Sequence, residues 1–174
     1  MQSEQELDAW HEKQDPWNYE STPDDQIRKS MLLNELPARQ YDRVLDIGCG
    51  QGYVTRDLPG RSVMGVDISG EAIDKAQAVA NERVSFLRAS LFELPKKVSG
   101  PFDLIVITGV LYPQYIGNAA TLVYGIADDL LASDGVLASV HIDARYRARF
   151  PYLMLKELFY PYREYTHRLE IYIK

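Results

Sequence analysis

Eleven consecutive residues constrain this chain more than any others: Arg43-Val44-Leu45-Asp46-Ile47-Gly48-Cys49-Gly50-Gln51-Gly52-Tyr53. A short apolar run, Val44 to Ile47, passes into three glycines at alternate positions. A helical pattern over Tyr53 to Leu58 follows, and Pro59-Gly60 marks a turn. This is the pattern of a buried parallel strand turning sharply into a helix. Glycine there lets main chain, rather than side chain, face whatever lies above the turn.

The order of the glycines restricts the ligand. A dinucleotide turn reads Gly-x-Gly-x-x-Gly and rests a pyrophosphate on the helix N-terminus. Here the order is Asp-x-Gly-x-Gly-x-Gly, with Asp46 inside the strand end. A carboxylate at that place repels a pyrophosphate and suits a cationic or amino-bearing ligand. A second acid, Asp67, stands nineteen positions beyond Gly48 at the end of the next apolar run. A carboxylate there can accept both hydroxyls of a ribose; its other use is to cap the helix that follows.

The remaining segments arrange themselves around this turn. Residues 3–14 are polar with scattered Leu7, Ala9 and Trp10 and read as a short amphipathic helix, followed by an aromatic loop, Asp15 to Glu20. Thr22-Pro23-Asp24-Asp25 is a helix start, with a capping residue, a proline in the first turn and two acids on the positive end of the dipole. Ile27, Met31, Leu32, Leu33 and Leu36 supply its apolar side, and Pro37 ends it. Ser62–Asp67 reads as a second strand, Ser69 as the cap of a helix burying Ala72, Ile73, Ala76, Val79 and Ala80, and Arg83–Arg88 as a third strand. Phe102 to Ile107 is the most continuous apolar run, as expected of a strand covered on both faces in the middle of a parallel sheet. A helix from Asn118 to Leu131, a strand over 135–141, a helix over Pro151–Tyr160 and an alternating strand over His167–Ile173 complete the chain. Strand and helix alternate, so the expected fold is α/β: one domain, residues 1–174, Rossmann-like and doubly wound, a mostly parallel sheet with helices on both faces.

Composition agrees. The chain has 174 residues, 46% hydrophobic and 25% charged, ordinary values for a globular domain. Its net charge of −6 argues against a nucleic-acid partner, whose binders carry a basic face. A single cysteine, Cys49, excludes an internal disulfide and a cysteine-rich metal site, and no metal is expected. No apolar run approaches the roughly 18 residues that span a bilayer. The acidic, polar beginning is unlike a signal peptide, so a cytoplasmic protein without a membrane partner is expected.

In an open parallel sheet the ligand lies at the carboxyl ends of the strands. Those ends here are Asp46 to Gly52, Asp67-Ile68, Ala89-Ser90-Leu91, Thr108 to Tyr112, and His141-Ile142-Asp143. His141, Asp143, Tyr112 and Tyr115 are the candidates should the reaction need a general base. Each has a plainer reading: His141 closes its strand, and Tyr112, beside Pro113, walls the pocket. Arg145, Arg147 and Arg149 alternate, and in an extended segment they would share a face able to hold a phosphate or carboxylate.

These residues together resemble the class I S-adenosylmethionine-dependent methyltransferases. Asp46, Gly48, Gly50 and Gly52 match the family's first motif, Asp67 its ribose acid with Ile68 against the adenine, and Phe102-Asp103-Leu104-Ile105 its fourth strand. A nearer resemblance is to small tailoring methyltransferases such as the nodulation enzymes that N-methylate a chitooligosaccharide. It rests on Asp15-Pro16-Trp17, Val110-Leu111-Tyr112 and His167-Arg168-Leu169-Glu170-Ile171. The resemblance implies a seven-stranded-type sheet, S-adenosylmethionine as cofactor with S-adenosylhomocysteine as product, and a small-molecule acceptor methylated on N or O, a sugar or sugar-containing metabolite leading. It places the cofactor against Asp46, Gly48, Cys49, Gly50, Gly52, Tyr53, Asp67, Ile68, Ser90, Leu91, Thr108 and Gly109. Residues 1–22 would form a lid in which Trp17 and Tyr19, with Tyr115, face the acceptor. One position departs from the pattern: Ser90 stands where many relatives carry the Asp that bonds the adenine amino group. Two other readings remain open, a cofactor-binding protein without chemistry and a nicotinamide oxidoreductase; the glycine order disfavours the second.

Overall fold

A computed structural model describes residues 4–12, 22–146 and 149–174. Seven strands form one sheet in the order β3-β2-β1-β4-β5-β7-β6: β1 Arg43–Ile47, β2 Ser62–Asp67, β3 Val84–Arg88, β4 Phe102–Thr108, β5 Leu131–Ile142, β6 Leu153–Tyr162 and β7 Tyr165–Ile173. The first five run parallel; β7 is antiparallel to both β5 and β6. The strand order reverses between β1 and β4, and a ligand crevice is expected at the carboxyl ends of these two strands. β4 is the middle strand. Its Leu104 and Val106 enter one core layer and its Ile105 and Ile107 the other, all fully buried.

The helices are α1 Glu4–His11, α2 Pro23–Glu35, α3 Gly70–Ala76, α4 Leu94–Lys97, α5 Pro113–Ile116 and α6 Ala120–Leu130. One layer packs α6, through Val123, Ile126, Ala127 and Leu130, with Ile105, Ile107 and Leu137. The other packs Leu32 and Leu36 with Val44, Leu104, Val136 and Leu169. Ser69 caps α3 as the sequence indicates, its hydroxyl accepting the Ala72 N–H at 3.2 Å.

Several expectations need correction, and β5 begins already at Leu131, where the helix was expected to end. The segment after the glycine turn is a single 3₁₀ turn, Thr55–Asp57, rather than a helix, because Pro59-Gly60 follows too soon. Arg83 donates to the carbonyls of Arg56 and Leu58, both at 2.7 Å, and so satisfies the end of that turn. α3 stops at Ala76, leaving Ala80 exposed beyond a further 3₁₀ turn. Of residues 151–160, read as a helix, 153–160 form most of β6, one of the sheet's two edge strands. A register shift between Met154 and Lys156 interrupts its alternation, and Leu153, Leu155 and Phe159 lie exposed, so the pattern imitates a helix face. β7 is not half-buried. It sits between β5 and β6 with His167 through Tyr172 all buried, including Arg168 and Glu170, which pair with each other.

α2 also turns differently. It buries Asp25, Arg28 and Leu32, while Ile27 is exposed, and Thr22 occupies the cap position without a side-chain hydrogen bond. Asp25 is drawn inward because its partners, Tyr162 and Arg163, arrive from the β6–β7 hairpin.

Candidate functional site

A cavity of about 440 Å³ opens at the carboxyl ends of β1, β2 and β4, within the ordinary size of a ligand site. Its floor is the glycine turn. Gly48 has φ +79°, and a Cβ there would come within 2.0 Å of Val110 Cγ2, so only glycine lets the loop after β4 approach this closely. Gly48 and Cys49 both donate to the Val66 carbonyl, at 2.8 and 3.1 Å, which fixes the turn against β2. Gly52 serves otherwise. It lies outside the cavity wall, and at φ +81° its added Cβ would meet Phe86 Cζ at 2.8 Å; it is a packing glycine, not a ligand-facing one.

Asp46 lies under the turn at 1% exposure. One carboxylate oxygen accepts from Thr55 Oγ1 at 2.6 Å, and Oδ1 has no hydrogen-bond partner. Burial raises its carboxyl from 3.8 to about 6, against the opposing pulls of Thr55 and Arg28. A buried acceptor of this kind lining a cavity is one that a donor-bearing or cationic ligand group would complete. Asp67 Oδ2 accepts the Gly50 N–H at 2.9 Å and Oδ1 the Ser69 N–H at 3.0 Å, so this carboxylate braces both the glycine turn and the entry to α3 while facing the cavity. Cys49, Gly50, Tyr53, Ile68, Ser90, Leu91, Thr108 and Gly109 also line it. Ser90 is tied into a capping box, accepting from the Phe92 N–H at 3.3 Å while its own N–H donates to Glu93 at 2.9 Å. Burial, first, and then the charges of Asp67 and Asp46 push the Cys49 thiol well up, consistent with no nucleophilic role.

Of the four base candidates, Tyr112 and Tyr115 line the cavity and His141 and Asp143 do not. His141 is 1% exposed. Its Nε2 accepts the Leu111 N–H at 3.1 Å and its Nδ1 meets Ser139 Oγ at 2.9 Å. Burial, then the charges of His167 and Arg168, lower it to about 3, so it stays neutral and braces the loop after β4. Asp143 pairs with Arg168 at 2.9 Å. The Tyr112 hydroxyl accepts the Ile142 N–H at 2.8 Å, and burial raises its already high value, which makes it a wall rather than a base. Arg145 and Arg149 do not share a ligand-facing surface. Arg145 lines the cavity mouth, Arg149 pairs with Glu157 at 2.6 Å and with buried Glu170, and Arg147 lies outside the described residues, as do Trp17 and Tyr19.

The structure adds residues that were not among the expected site residues. His11, 5% exposed, closes over Gly50, its Cε1 standing 3.9 Å from where a Cβ would be. α1 is held there by Ser69 Oγ donating to Asp8 at 2.6 Å and by Lys75 donating to the His11 carbonyl. On the β6–β7 side stand Tyr162, Arg163, Tyr165 and His167 from the hairpin, and Arg28 from α2 also lines the cavity, its charge acting on both Asp46 and His167. Apart from His167 in the His167–Ile171 motif, their sequence trace is the Asp25/Arg28 pair at helical spacing, on a side that reads as solvent-facing.

A glycine turn over a buried acid, a second acid on the neighbouring strand and this strand order define a nucleoside-binding α/β domain of the S-adenosylmethionine type. A family model described as a methyltransferase domain matches residues 39–167, well over half of the chain, and the chain belongs to that family of S-adenosylmethionine-dependent enzymes. It is 31% identical over 111 residues to a malonyl-[acyl-carrier protein] O-methyltransferase of Magnetococcus marinus, a match covering 61% of this chain and 40% of that protein. It is 35% identical over 80 residues to a trans-aconitate 2-methyltransferase of Deinococcus radiodurans, covering 44% and 30%. The chain thus spans half or less of the length of these curated relatives. The N-methyltransferase NodS of Bradyrhizobium japonicum, solved in complex with S-adenosylhomocysteine, shares the fold with TM-score 0.81 at 21% identity, covering 98% of this chain and 97% of that one. No helix among the described residues is long and apolar enough to cross a membrane.

Proposed function

We propose that the chain transfers a methyl group from S-adenosylmethionine to N or O of a small molecule, with a sugar or sugar-containing metabolite as the leading acceptor. The observation that carries this reading is one continuous cavity with two chemically different ends. Asp46, Asp67 and the glycine turn lie at one end, and Tyr112, Tyr115, Tyr162 and Tyr165 at the other. In this reading Asp46 Oδ1, otherwise without a partner, meets the amino-bearing part of the cofactor. Asp67 takes the ribose, and Ile68, Ser90 and Leu91 the adenine. When bound, the cofactor supplies a methyl group on a sulfonium, open to in-line displacement. The protein's contribution is then position and exclusion of water. Aromatic walls suit the apolar faces of a sugar or a flat ring while leaving hydroxyls for polar contacts. The acceptor amine or hydroxyl gives up its proton to water or buffer, since His141 is closed off and Tyr112 is held protonated. The lid reading of residues 1–22 rests on α1, whose Leu7 and His11 line the cavity; residues 1–3 and 13–21 lie outside the described residues.

The test is formation of S-adenosylhomocysteine from S-adenosylmethionine with a panel of amino sugars, sugars and small amines, with tRNA as a control. Acceptor-dependent turnover supports the reading. Tight cofactor binding without turnover on any member would favour a non-catalytic, regulatory or partner protein instead.

A further inference from the structure

Of the three histidines, His141 is closed off by two hydrogen bonds and His11 stands over the glycine turn, which leaves His167 without an assigned part. It stands near the start of β7, opposite Ile142 at the carboxyl end of β5 and opposite Tyr160 of β6. Its side chain lines the cavity on a strand three spacings from β1, across β4 and β5, or about 14 Å away. The imidazole is 5% exposed, and its Nδ1 has no hydrogen-bond partner. Beside it Tyr160 is buried too and leaves its hydroxyl without a partner, the two rings meeting edge to face at 5.7 Å. Folded proteins rarely leave a buried polar atom unpaired, and two neighbours left so at a cavity wall mark a seat for a polar ligand group.

The ring is held in place before a ligand arrives. Tyr162 stacks on it with centroids 3.8 Å apart and planes 14° off parallel, and the Tyr162 hydroxyl is itself anchored on fully buried Asp25 at 2.8 Å. Burial, then the charges of Arg28 and Arg163, lower the imidazole to about 3, so it is neutral at physiological pH. A neutral imidazole carries a proton on one nitrogen and a lone pair on the other. The guanidinium groups that keep it neutral also disfavour an ammonium group beside it. A hydroxyl fits instead. It both donates and accepts, so it satisfies Nδ1 whichever tautomer is present.

We propose that His167 selects the acceptor, its Nδ1 hydrogen-bonded to an uncharged hydroxyl group of the molecule to be methylated. This rests on the methyltransferase reading of the cavity and narrows its acceptors to molecules that present a neutral hydroxyl on the β7 side. His167 determines specificity and is not a base: a ring lowered to about 3 shares a hydrogen bond at neutral pH but does not keep a proton. Because β4 and β5 separate β7 from the glycine turn, the hydroxyl held here is one end of the acceptor, and the rest of the molecule extends toward the cofactor.

The experiment uses uniformly ¹⁵N-labelled protein saturated with S-adenosylhomocysteine and titrated with D-glucose, N-acetylglucosamine or phenol, three uncharged hydroxyl carriers of different shape. Saturation by the thioether is read separately at the amides of Gly48 to Gly52; a failure there strikes the cofactor reading and not this one. At least one probe should saturate a shift of the His167 ring nitrogens. His167→Phe keeps a ring against Tyr162 and removes the nitrogen. Followed at the amides of Ile142 and Tyr165, it should bind that probe at least about tenfold more weakly, or ~1.4 kcal/mol, while holding the thioether as tightly as wild type. His167→Asn, whose amide oxygen takes the place of Nδ1, should recover part of the loss, which a purely structural role for the ring would not allow. No saturable shift with any probe, binding that His167→Phe leaves unchanged, or no recovery in His167→Asn would overturn the proposal and leave the nitrogen to a buried water.

Discussion

Replacing Asp46 by asparagine should stabilise the unliganded protein while removing its hold on the cofactor. The carboxyl is fully buried, keeps one hydrogen bond from Thr55 and leaves Oδ1 unmatched. Its rise from 3.8 to about 6 corresponds, at 1.36 kcal/mol per pH unit, to about 3 kcal/mol. The folded-state value lies above the unfolded one. Stability from this group is therefore complete below about pH 3.8 and lost as pH rises through about 6. The neutral amide of Asp46→Asn would escape that loss, and its carbonyl would still accept from Thr55. Its NH₂ group would bury a donor at a cost of about 1 kcal/mol. The net gain at pH 7.5 is about 2 kcal/mol, a rise of roughly 4–8 °C in Tm for a chain of this size. Urea unfolding of both proteins at pH 4.5 and 7.5 checks it: the variant should be more stable at pH 7.5, and the gap should close at pH 4.5. S-adenosylhomocysteine should bind the variant at least about tenfold more weakly. A variant less stable than wild type at pH 7.5, or a gap that ignores pH, would refute the reasoning.

Other outcomes follow from the same geometry. His141 and His167 are buried and neutral, their values depressed to about 3, so the unfolded chain binds their protons first and stability should fall as pH drops below about 6.5. His141→Gln should flatten that slope and lower stability by about 1–3 kcal/mol, with no new limb in the pH–rate profile between pH 6 and 9. Gly48→Ala and Gly52→Ala should both lower stability, each forcing a side chain into a left-handed conformation that costs about 1–3 kcal/mol. Only Gly48→Ala, which also collides with Val110 on the cavity floor, should lose cofactor affinity out of proportion to its stability. Ser69→Ala removes the α3 cap and the tie to Asp8. It should cost about 1 kcal/mol in thermal unfolding and raise protease cleavage around α1.

The parallel half of the fold was legible because its signals are local: Val44–Ile47 before glycines, Ser62–Asp67 before Ser69, Phe102–Ile107 before Gly109. The floor of the cavity was legible for the same reason, except that Gly52 lies outside its wall and packs toward Phe86. The antiparallel end was less so. β6 lies on an edge with an interrupted register, and its apolar residues at 153, 154, 155, 158 and 159 fit a helical face as well as a strand. The hairpin side of the cavity was hidden because its residues meet only in three dimensions: Asp25 and Tyr162 stand 137 positions apart, and nothing near either marks the other. His141 misled for the opposite reason. Its place at a strand end is right for catalysis, but the bonds to Leu111 and Ser139 that occupy it are invisible until the β4 loop is placed.

The central claim is that the glycine turn and Asp67 hold S-adenosylmethionine. Calorimetric titration of S-adenosylhomocysteine into wild type and Asp67→Ala, beside NADH, tests it most directly. The thioether should bind wild type, the variant should lose at least about tenfold, or ~1.4 kcal/mol, and NADH should give no heat. Absence of S-adenosylhomocysteine binding, or binding of NADH in its place, would contradict it.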